Sequence, residues 1–289
     1  MIPASFEYLR AKTIPEAIAM LQQHGDDAKI LSGGQSLIPM MKLRIARPGW
    51  LIDINSVSGL DYIKEDGEFL KIGGLVREAE IDASELIRSK YPIMHDTASV
   101  IADPQVRNLA TMGGNLAHGD PANDHPATMM ALGARVVATG PKGERIIPIE
   151  EFFLSIFSTA LGQDEILTEI RIPVPPARSG GAYLKLERKV GDFATVAVAA
   201  QVSLDAQGVC QRAGIGLTNV GPTPVKARKA ENFLRGKKLD EGNIKQAAQL
   251  ASDESAPSAD LRGPLEYKKG LVKELTKRAL YLALERAGK

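Results

Sequence analysis

The sequence contains a single cysteine, Cys210, among its 289 residues. One thiol cannot form an internal disulfide. Nor can it supply the set of thiolates that holds an iron–sulfur cluster or a cysteine-rich zinc site. An internal disulfide, a cysteine-ligated iron–sulfur cluster and a cysteine-rich zinc site are therefore excluded for this chain.

An excess of charge is also missing, since 36 Lys and Arg residues stand against 35 Asp and Glu residues. Such a balance creates no field that would attract nucleic acid or an anionic membrane. The longest apolar runs, such as VAVAA at 196–200, fall far short of the roughly 20 residues of a membrane-spanning helix. The N-terminal MIPASFEYLR has no apolar core of a secretion signal. We therefore expect a cytoplasmic protein with no nucleic-acid partner.

Helical and strand patterns alternate over residues 1 to about 175, which indicates an α+β or α/β arrangement with short strands. The stretch Thr13-Ile14-Pro15-Glu16 is typical of a capping box, and Gly25 is expected to end the helix that follows. Strands are expected at KIL, WLIDI, FLKIGG, ARVVATG, RIIPI and EILTEIRIP. Helices are expected at 91–102 and 125–134.

The Pro-rich segment IPVPPARSGG at 172–181 is typical of a linker between domains. Three extended runs follow it and predict an antiparallel meander. Three helices are then expected at about 225–235, 240–253 and 264–287. Strands and helices are thus expected to alternate before this linker, whereas after it the strands come first and the helices follow.

Two glycine pairs stand out, because each is followed by polar side chains: Gly33-Gly34 before Gln35-Ser36, and Gly113-Gly114 before Asn115. Consecutive amides in such turns can bind an anion, and two of these turns facing each other would suit a pyrophosphate. The plainer interpretation is that each pair only makes a tight turn. Neither G-x-G-x-x-G between a strand and a helix nor G-x-x-x-x-G-K-[ST] occurs, so a Rossmann-type or P-loop nucleotide site is not expected.

A second polar cluster, His118, Asp120, Asp124 and His125, has the residue types of a zinc or manganese site. A metal-dependent phosphoesterase is the function that this cluster would support. No further ligand set supports it, and turns with helix capping explain the same residues. Lys185, by strand alternation, is expected on a charged and solvated strand edge.

Three segments resemble the FAD-binding medium subunits of the molybdenum hydroxylases, and within them the aerobic carbon monoxide dehydrogenase branch. They are LSGGQSLIPMMKLR at 31–44, IADPQVRNLATMGGNLAHGDPANDHPA at 101–127 and KLERKVGDFATVAVA at 185–199. The likeness extends from MIPASFEY through GIGLTNVGPTPVKA to DLRGPLEYKK, and so covers essentially the whole chain.

The resemblance implies an α+β chain with the two-part FAD-binding fold of the vanillyl-alcohol oxidase type. A C-terminal three-stranded antiparallel sheet with helices would follow it. The implied domains are 1–57 (first FAD-binding subdomain), 58–176 (second FAD-binding subdomain) and 177–289 (C-terminal domain of medium subunits). FAD is the implied cofactor, held by two pyrophosphate loops.

The residues implied to bind FAD share a position in these motifs or beside the flavin ring: Ser32, Gly33, Gly34, Gln35, Ser36, Ile101, Ala110, Thr111, Met112, Gly113, Gly114, Asn115, Asp124, Leu167 and Lys185. The resemblance places His118 and Asp120 in the loop that lines the flavin and not at a metal. No catalytic residue and no metal ligand is implied in this chain. Gln35 stands where the resemblance to the carbon monoxide branch implies histidine, and Phe193 where it implies tyrosine near the flavin.

The implied function is electron relay in carbon monoxide oxidation to CO2. Electrons would pass from [2Fe–2S] clusters of a small subunit, through FAD here, to a quinone or another acceptor, while a large molybdopterin subunit oxidises the substrate. A dimer of heterotrimers is implied, in the cytoplasm or at the inner face of the membrane through the complex. The same relay in a complex that oxidises a purine, an N-heterocycle or an aldehyde is the alternative.

Overall fold

The computed structural model describes residues 1–288. Its N-terminal part is a parallel sheet in the order β1–β3–β2, with one helix after each of the first two strands. The elements are β1 (Glu7–Arg10), α1 (Ile14–His24), β2 (Ala28–Leu31), α2 (Leu37–Lys42) and β3 (Trp50–Asp53). Helix α1 begins as predicted, because the Thr13 side chain accepts a hydrogen bond from the amide of Glu16.

The middle part contains an antiparallel sheet of five strands in the order β4–β5–β10–β6–β7. Its strands are β4 (Ile63–Asp66), β5 (Phe69–Gly73), β6 (Arg135–Gly140), β7 (Gly143–Pro148) and β10 (Ile166–Pro173). A small hairpin, β8 (Phe153–Ser155) and β9 (Ser158–Thr159), precedes β10. The strands at FLKIGG, ARVVATG, RIIPI and EILTEIRIP are thus confirmed, and one sheet contains them all.

Short helices cover this sheet: α3 (Glu78–Ala83), α4 (Glu85–Lys90), α5 (Pro92–Ser99), α6 (Pro104–Arg107), α7 (Met112–His118), α8 (Asp124–Leu132) and α9 (Ile149–Phe152). All nine residues of α8 are buried. Helix α8 packs on the middle sheet and also on the C-terminal sheet, so it has no solvent-facing side. This explains why its sequence, DHPATMMAL, shows little amphipathic periodicity.

The C-terminal part has the predicted meander of β11 (Ser179–Leu186), β12 (Val196–Leu204) and β13 (Cys210–Thr218). A two-residue strand, β14 (Val225–Lys226), adds a fourth member that the sequence pattern does not reveal. Helices α10 (Arg228–Leu234), α11 (Glu241–Glu254) and α12 (Leu265–Ala287) follow. The three sheets lie in residues 7–53, 63–173 and 179–226; division of the chain into domains at 57 and 176 stays a prediction.

Two glycines of β13 make the contact with α8 possible. A Cβ atom on Gly214 would lie 1.9 Å from the carbonyl oxygen of Ala131, and one on Gly216 would lie 2.0 Å from that of Ala127. Such distances are far below contact, so the helix backbone rests directly on the strand. Within residues 1–288, no helix is both long enough and apolar enough to cross a membrane.

We predict that Gly216→Ala lowers the free energy of unfolding by about 2–3 kcal/mol, because the added methyl group pushes α8 from the sheet. The control is Gly270→Ala in the exposed part of α12, where a Cβ would meet nothing within 4 Å. That variant is expected to be more stable than wild type by up to about 1 kcal/mol. Urea unfolding measures both, and equal stability of the two variants would contradict the packing described here.

Candidate functional site

The first loop, residues 32–36, joins β2 to α2 and contains the first glycine pair. Gly34 adopts a φ of 71°, a conformation that favours glycine. A side chain at this position would also be crowded, since a Cβ on Gly34 would lie 2.8 Å from Cδ1 of Ile38. Across the described residues, the backbone N–H groups of Ser32, Gly33, Gly34, Gln35 and Ser36 have no hydrogen-bond acceptor. The first loop thus presents a run of free donors.

The second loop, residues 110–115, differs from the sequence expectation of a glycine turn. Gly113 and Gly114 lie in the first turn of α7, where Thr111 is the N-cap. The Gly113 amide donates to the carbonyl of Gly74 (3.2 Å), and the Gly114 amide donates to Thr111 Oγ1 (3.1 Å). These amides are therefore engaged within the protein, and the expectation of two similar facing amide turns is wrong in this respect.

Three further backbone amides of the second loop are also engaged within the protein. Those of Ala110, Met112 and Asn115 donate to the carbonyls of Val106, Val76 and Thr111. Met112 is fully buried in the core. The loop still offers polar groups to a neighbour, because the Oδ1 atom of Asn115 is buried and has no hydrogen-bond partner within residues 1–288.

The two loops are in direct contact, although 79 residues separate Ser32 from Thr111 in the chain. Ser32 Oγ lies 3.1 Å from Thr111 Oγ1, so the two hydroxyls share a hydrogen bond. A Cβ on Gly33 would lie 2.4 Å from the carbonyl oxygen of Leu109, which only glycine avoids. The structure therefore brings together the two motifs that the sequence analysis paired.

A buried polar group surrounds Asp124, which is the first residue of α8. The Tyr183 hydroxyl donates to Asp124 Oδ1 at 2.6 Å, and Lys185 Nζ lies 3.0 Å from Oδ2. Lys185 also donates to the carbonyl of Val100, at 3.1 Å. The Lys185 side chain is only 2% exposed, so the expectation of a solvated strand edge is wrong. The ammonium group of Lys185 on β11 is enclosed by Val100, which follows α5, and by Asp124 at the start of α8.

Burial sets the ionisation of this group. It raises the pKa of Asp124, while the Lys185 charge and the bond from Tyr183 act in the opposite direction. Burial also raises the pKa of Tyr183 well above its ordinary value, and the Asp124 charge adds to the effect. The Tyr183 hydroxyl therefore stays protonated and donates its hydrogen bond to the Asp124 carboxylate.

The apolar residues implied to contact the flavin lie at two separate places. Ile101 is 7% exposed and directly follows Val100, so it lies beside Lys185. Leu167 is 6% exposed, and its carbonyl packs against Gly74, which in turn contacts Gly113. Ile101 is therefore beside the Asp124 group and Leu167 beside the second loop.

The four residues of the metal hypothesis do not converge. The His118 ring packs at a centroid distance of 5.0 Å against Phe157, and burial lowers its pKa. Asp120 accepts from the amide of Ala122, whereas Asp124 is engaged as described and His125 faces Glu78. Residues 1–288 contain no group of three or more His, Cys, Asp or Glu side chains that could hold a metal. These residues therefore do not form the metal site that the phosphoesterase alternative requires.

His125 and Glu78 form a fully buried pair that joins α8 to α3, with 2.6 Å between Nε2 and Oε2. Burial by itself would lower the pKa of His125, but the charge of Glu78 and the hydrogen bond to it raise the pKa above its ordinary value. Glu78 also contacts the second loop, because its backbone amide donates to the carbonyl of Ala110. The pair therefore connects the second loop to the helix that carries Asp124.

We predict that Glu78→Gln lowers the free energy of unfolding by about 3 kcal/mol at pH 6, because protonated His125 loses its buried partner. Because the pKa of His125 is raised in the folded state, its protonation stabilises the fold at pH values below the unfolded pKa of about 6.5. This stabilisation is lost as the pH rises through the folded-state pKa of His125. The difference between wild type and variant is therefore expected to shrink as the pH rises.

Urea unfolding between pH 5.5 and 9.5 measures this difference. The control is Glu85→Gln, since the side chain of Glu85 is 81% exposed and its removal is expected to change little at any pH. A difference between wild type and Glu78→Gln that stays constant across the pH range would contradict the assignment.

Sequence reasoning missed four residues of this region: Asn55, Arg77, Glu78 and Tyr183. Asn55 and Arg77 bridge the two loops by hydrogen bonds, and Tyr183 is 59 residues from its partner Asp124. The spacing of Tyr183 two residues before Lys185 on one strand could have indicated a shared face. No local pattern distinguishes Arg77 from an ordinary charged residue at a helix start.

Comparison with known proteins identifies the family of the chain. The family model described as FAD binding domain in molybdopterin dehydrogenase matches residues 4–175, and that of the CO dehydrogenase flavoprotein C-terminal domain matches residues 181–283. The chain is 44% identical to the carbon monoxide dehydrogenase medium chain of Afipia carboxidovorans, over 99% of both chains. It is 38% identical to the 6-hydroxypseudooxynicotine dehydrogenase complex subunit alpha of Paenarthrobacter nicotinovorans, over 99% of this chain and 97% of the other.

Among solved structures, a carbon monoxide dehydrogenase from Hydrogenophaga pseudoflava has a chain that superposes with a TM-score of 0.96. That chain is 44% identical, and the match covers 99% of each chain. The mixed helix–strand fold and the FAD cofactor are those of this family. The chain therefore belongs to the FAD-binding medium subunits of the molybdopterin dehydrogenases, which are oxidoreductase subunits of molybdenum hydroxylase complexes.

Proposed function

We propose that this chain is the FAD-carrying subunit of a carbon monoxide dehydrogenase, and that it relays electrons from the [2Fe–2S] clusters of a small subunit to a quinone. A large molybdopterin subunit would oxidise the substrate, and two such heterotrimers would form the complex in the cytoplasm. The choice of carbon monoxide is supported by the 44% identity to a carbon monoxide dehydrogenase medium chain over 99% of this chain.

The observation that carries the proposal is the run of free amides in the first loop, placed against the polar side chains of the second. Residues 32–36 and 110–115 contain no carboxylate. They supply the hydroxyls of Ser32, Ser36 and Thr111 and the amides of Gln35 and Asn115. Uncharged donors of this kind are suited to a diphosphate, because a bound anion needs many N–H and O–H groups and no competing negative charge. The residues present therefore fit FAD.

Within this proposal, the residues have different roles. The first loop would hold the diphosphate through backbone N–H groups, and the second loop through Thr111 and Asn115. Asp124 and Lys185 would lie at the flavin ring, where Tyr183 fixes the carboxylate and Ile101 excludes water. The chemistry that a bound flavin supplies is one- and two-electron transfer.

The second function to weigh is the same relay in a complex that oxidises an N-heterocycle. The observation in its favour is the 38% identity to a 6-hydroxypseudooxynicotine dehydrogenase subunit, again over 99% of this chain. Gln35 and Phe193 also depart from the residues that carbon monoxide enzymes are expected to carry there. Phe193 is 49% exposed, so its side chain is available to the acceptor side. Assays of the assembled complex with carbon monoxide and with an N-heterocycle decide between them.

We predict that Gly34→Ala weakens FAD binding at least about tenfold, because the new side chain strains a left-handed residue in the middle of the donor run. The matched control is Gly67→Ala in the β4–β5 turn, where φ is 62° and a Cβ would meet nothing within 4 Å. It carries the same backbone strain away from the site and is expected to bind FAD as wild type does.

The measurement is a visible absorbance spectrum after incubation with FAD and gel filtration, followed by fluorescence titration. Wild type is expected to retain about one FAD per chain, alone or in the complex with its partner subunits. Absence of flavin from both preparations of wild type would overturn the proposed function. Equal affinity of Gly34→Ala and Gly67→Ala would remove the first loop from the site.

We predict that Asp124→Asn retains FAD but raises the flavin midpoint potential by tens of mV, because a negative charge next to Lys185 is lost and the reduced ring gains attraction. Spectroelectrochemical titration of the loaded protein measures the potential. Asp253→Asn is the control, since Asp253 is an exposed carboxylate of α11 that contacts Gln249 and none of the residues around Asp124. An unchanged potential in Asp124→Asn would place Asp124 away from the ring.

A further inference from the structure

We propose that Arg77 and Asn55 are positioning residues, which hold the first and second loops at the separation that an FAD diphosphate requires. The inference rests on the proposed function and assigns a role to two residues outside both glycine motifs. Neither residue is expected to touch the diphosphate; they act through Ser32 and Leu109.

Arg77 lies at the start of α3 and divides its guanidinium between the two loops. Its Nη2 donates to Asn55 Oδ1 at 2.6 Å, and its Nη1 donates to the carbonyl of Leu109. Leu109 directly precedes the second loop. The planar guanidinium of Arg77 thus contacts the residue before the second loop on one side and Asn55 on the other.

Asn55 completes the connection to the first loop. Its Nδ2 donates to the carbonyl of Ser32 at 2.8 Å and to Asp53 Oδ1 at 2.7 Å. Asp53 is 7% exposed, and it also accepts from the Asn55 amide at 2.8 Å and from the Tyr8 hydroxyl at 2.5 Å. The Asn55 side chain is therefore oriented by a buried carboxylate, with its Oδ1 directed at Arg77.

These contacts close a ring. From Ser32 the path runs through Asn55 to Arg77, then to Leu109, along the backbone to Thr111, and back to Ser32 through the bond between the two hydroxyls. The first loop is consequently held through the carbonyl and the hydroxyl of Ser32, and the second loop through Thr111 and the adjoining Leu109. The connection through Arg77 and Asn55 adds to the hydroxyl contact and to the packing of Gly33 against Leu109, and together these contacts fix the relative orientation of the loops.

The backbone of Arg77 is itself fixed beside the second loop. Its amide donates to Glu80 Oε2 at 2.7 Å, and the next amide, of Glu78, donates to the carbonyl of Ala110 at 3.0 Å. Burial lowers the pKa of Arg77, although Glu80 and Asp53 oppose the effect, and an arginine stays charged under these conditions. The planar fork can reach two acceptors at once, which a lysine ammonium on a flexible stem cannot reproduce.

The test is Arg77→Lys in the full-length chain, with FAD as the titrant and a thermal unfolding curve for each variant. Lysine keeps the positive charge, so a loss of affinity reports the forked geometry and not simple attraction of the diphosphate. We expect the FAD Kd to rise about tenfold, since a charge-assisted connection is lost.

Arg286→Lys is the matched control. Arg286 also divides its guanidinium between a side-chain oxygen, Asp96 Oδ2 at 2.5 Å, and a backbone carbonyl, that of Gly181 at 2.6 Å. It joins α12 to α5 and β11 and contacts neither loop. This variant is expected to lower the unfolding temperature while it leaves the FAD Kd within about twofold of wild type.

A double-mutant cycle with Asn55→Ala tests whether the two residues act as one unit. We expect the double variant to bind FAD about as weakly as the weaker single variant. Any of three results would overturn the inference and leave the FAD function intact. They are an unchanged FAD Kd in Arg77→Lys, a loss of FAD affinity in Arg77→Lys no larger than that in Arg286→Lys, and fully additive losses of FAD affinity in the cycle. A wild-type chain and complex that both reject FAD would overturn the proposed function and this inference with it.

Discussion

The contact between Gly33 and the backbone of Leu109 is the constraint on which the site depends. A Cβ at residue 33 would lie 2.4 Å from that carbonyl oxygen, so the parallel N-terminal sheet and the helix-covered middle sheet can meet here only through glycine. Their meeting places Ser32 against Thr111, and the first loop with its free amides lies next to the second loop. The fold thus creates one site from two motifs that are far apart in the chain.

The two glycine motifs look alike in sequence, but their glycines have different structural roles. In the second loop the glycine amides are satisfied by Gly74 and Thr111, and the value of Gly113 is that a Cβ there would lie 2.4 Å from the Gly74 carbonyl. Its glycines therefore serve packing. In the first loop the amides are unsatisfied, which costs free energy unless water or a ligand accepts them. We attribute the anion-binding capacity of the pair mainly to the first loop.

Local patterns predicted the elements well, because caps, glycine stops and alternation are local signals; the α1 start at Thr13 and the three-stranded meander are examples. They failed where tertiary packing decides. Gly113-Gly114 is helical because the Thr111 cap and the contact with Gly74 outweigh low helix propensity. Lys185 is buried because Val100 after α5 and Asp124 at the start of α8 lie against its ammonium group. No local signal marks Arg77. The FAD assignment itself came from the resemblance of whole motifs, since chemistry alone left plain turns as an alternative.

The central claim is that the free amides of residues 32–36 are the donors that receive the diphosphate. Residue-resolved hydrogen exchange, with and without FAD, tests it most directly. The account predicts that FAD strongly slows exchange at residues 33–36, whereas residues 112–115 exchange slowly in both states because their amides are already hydrogen-bonded. Protection confined to residues 112–115, or none at residues 33–36 in FAD-loaded protein, would contradict it.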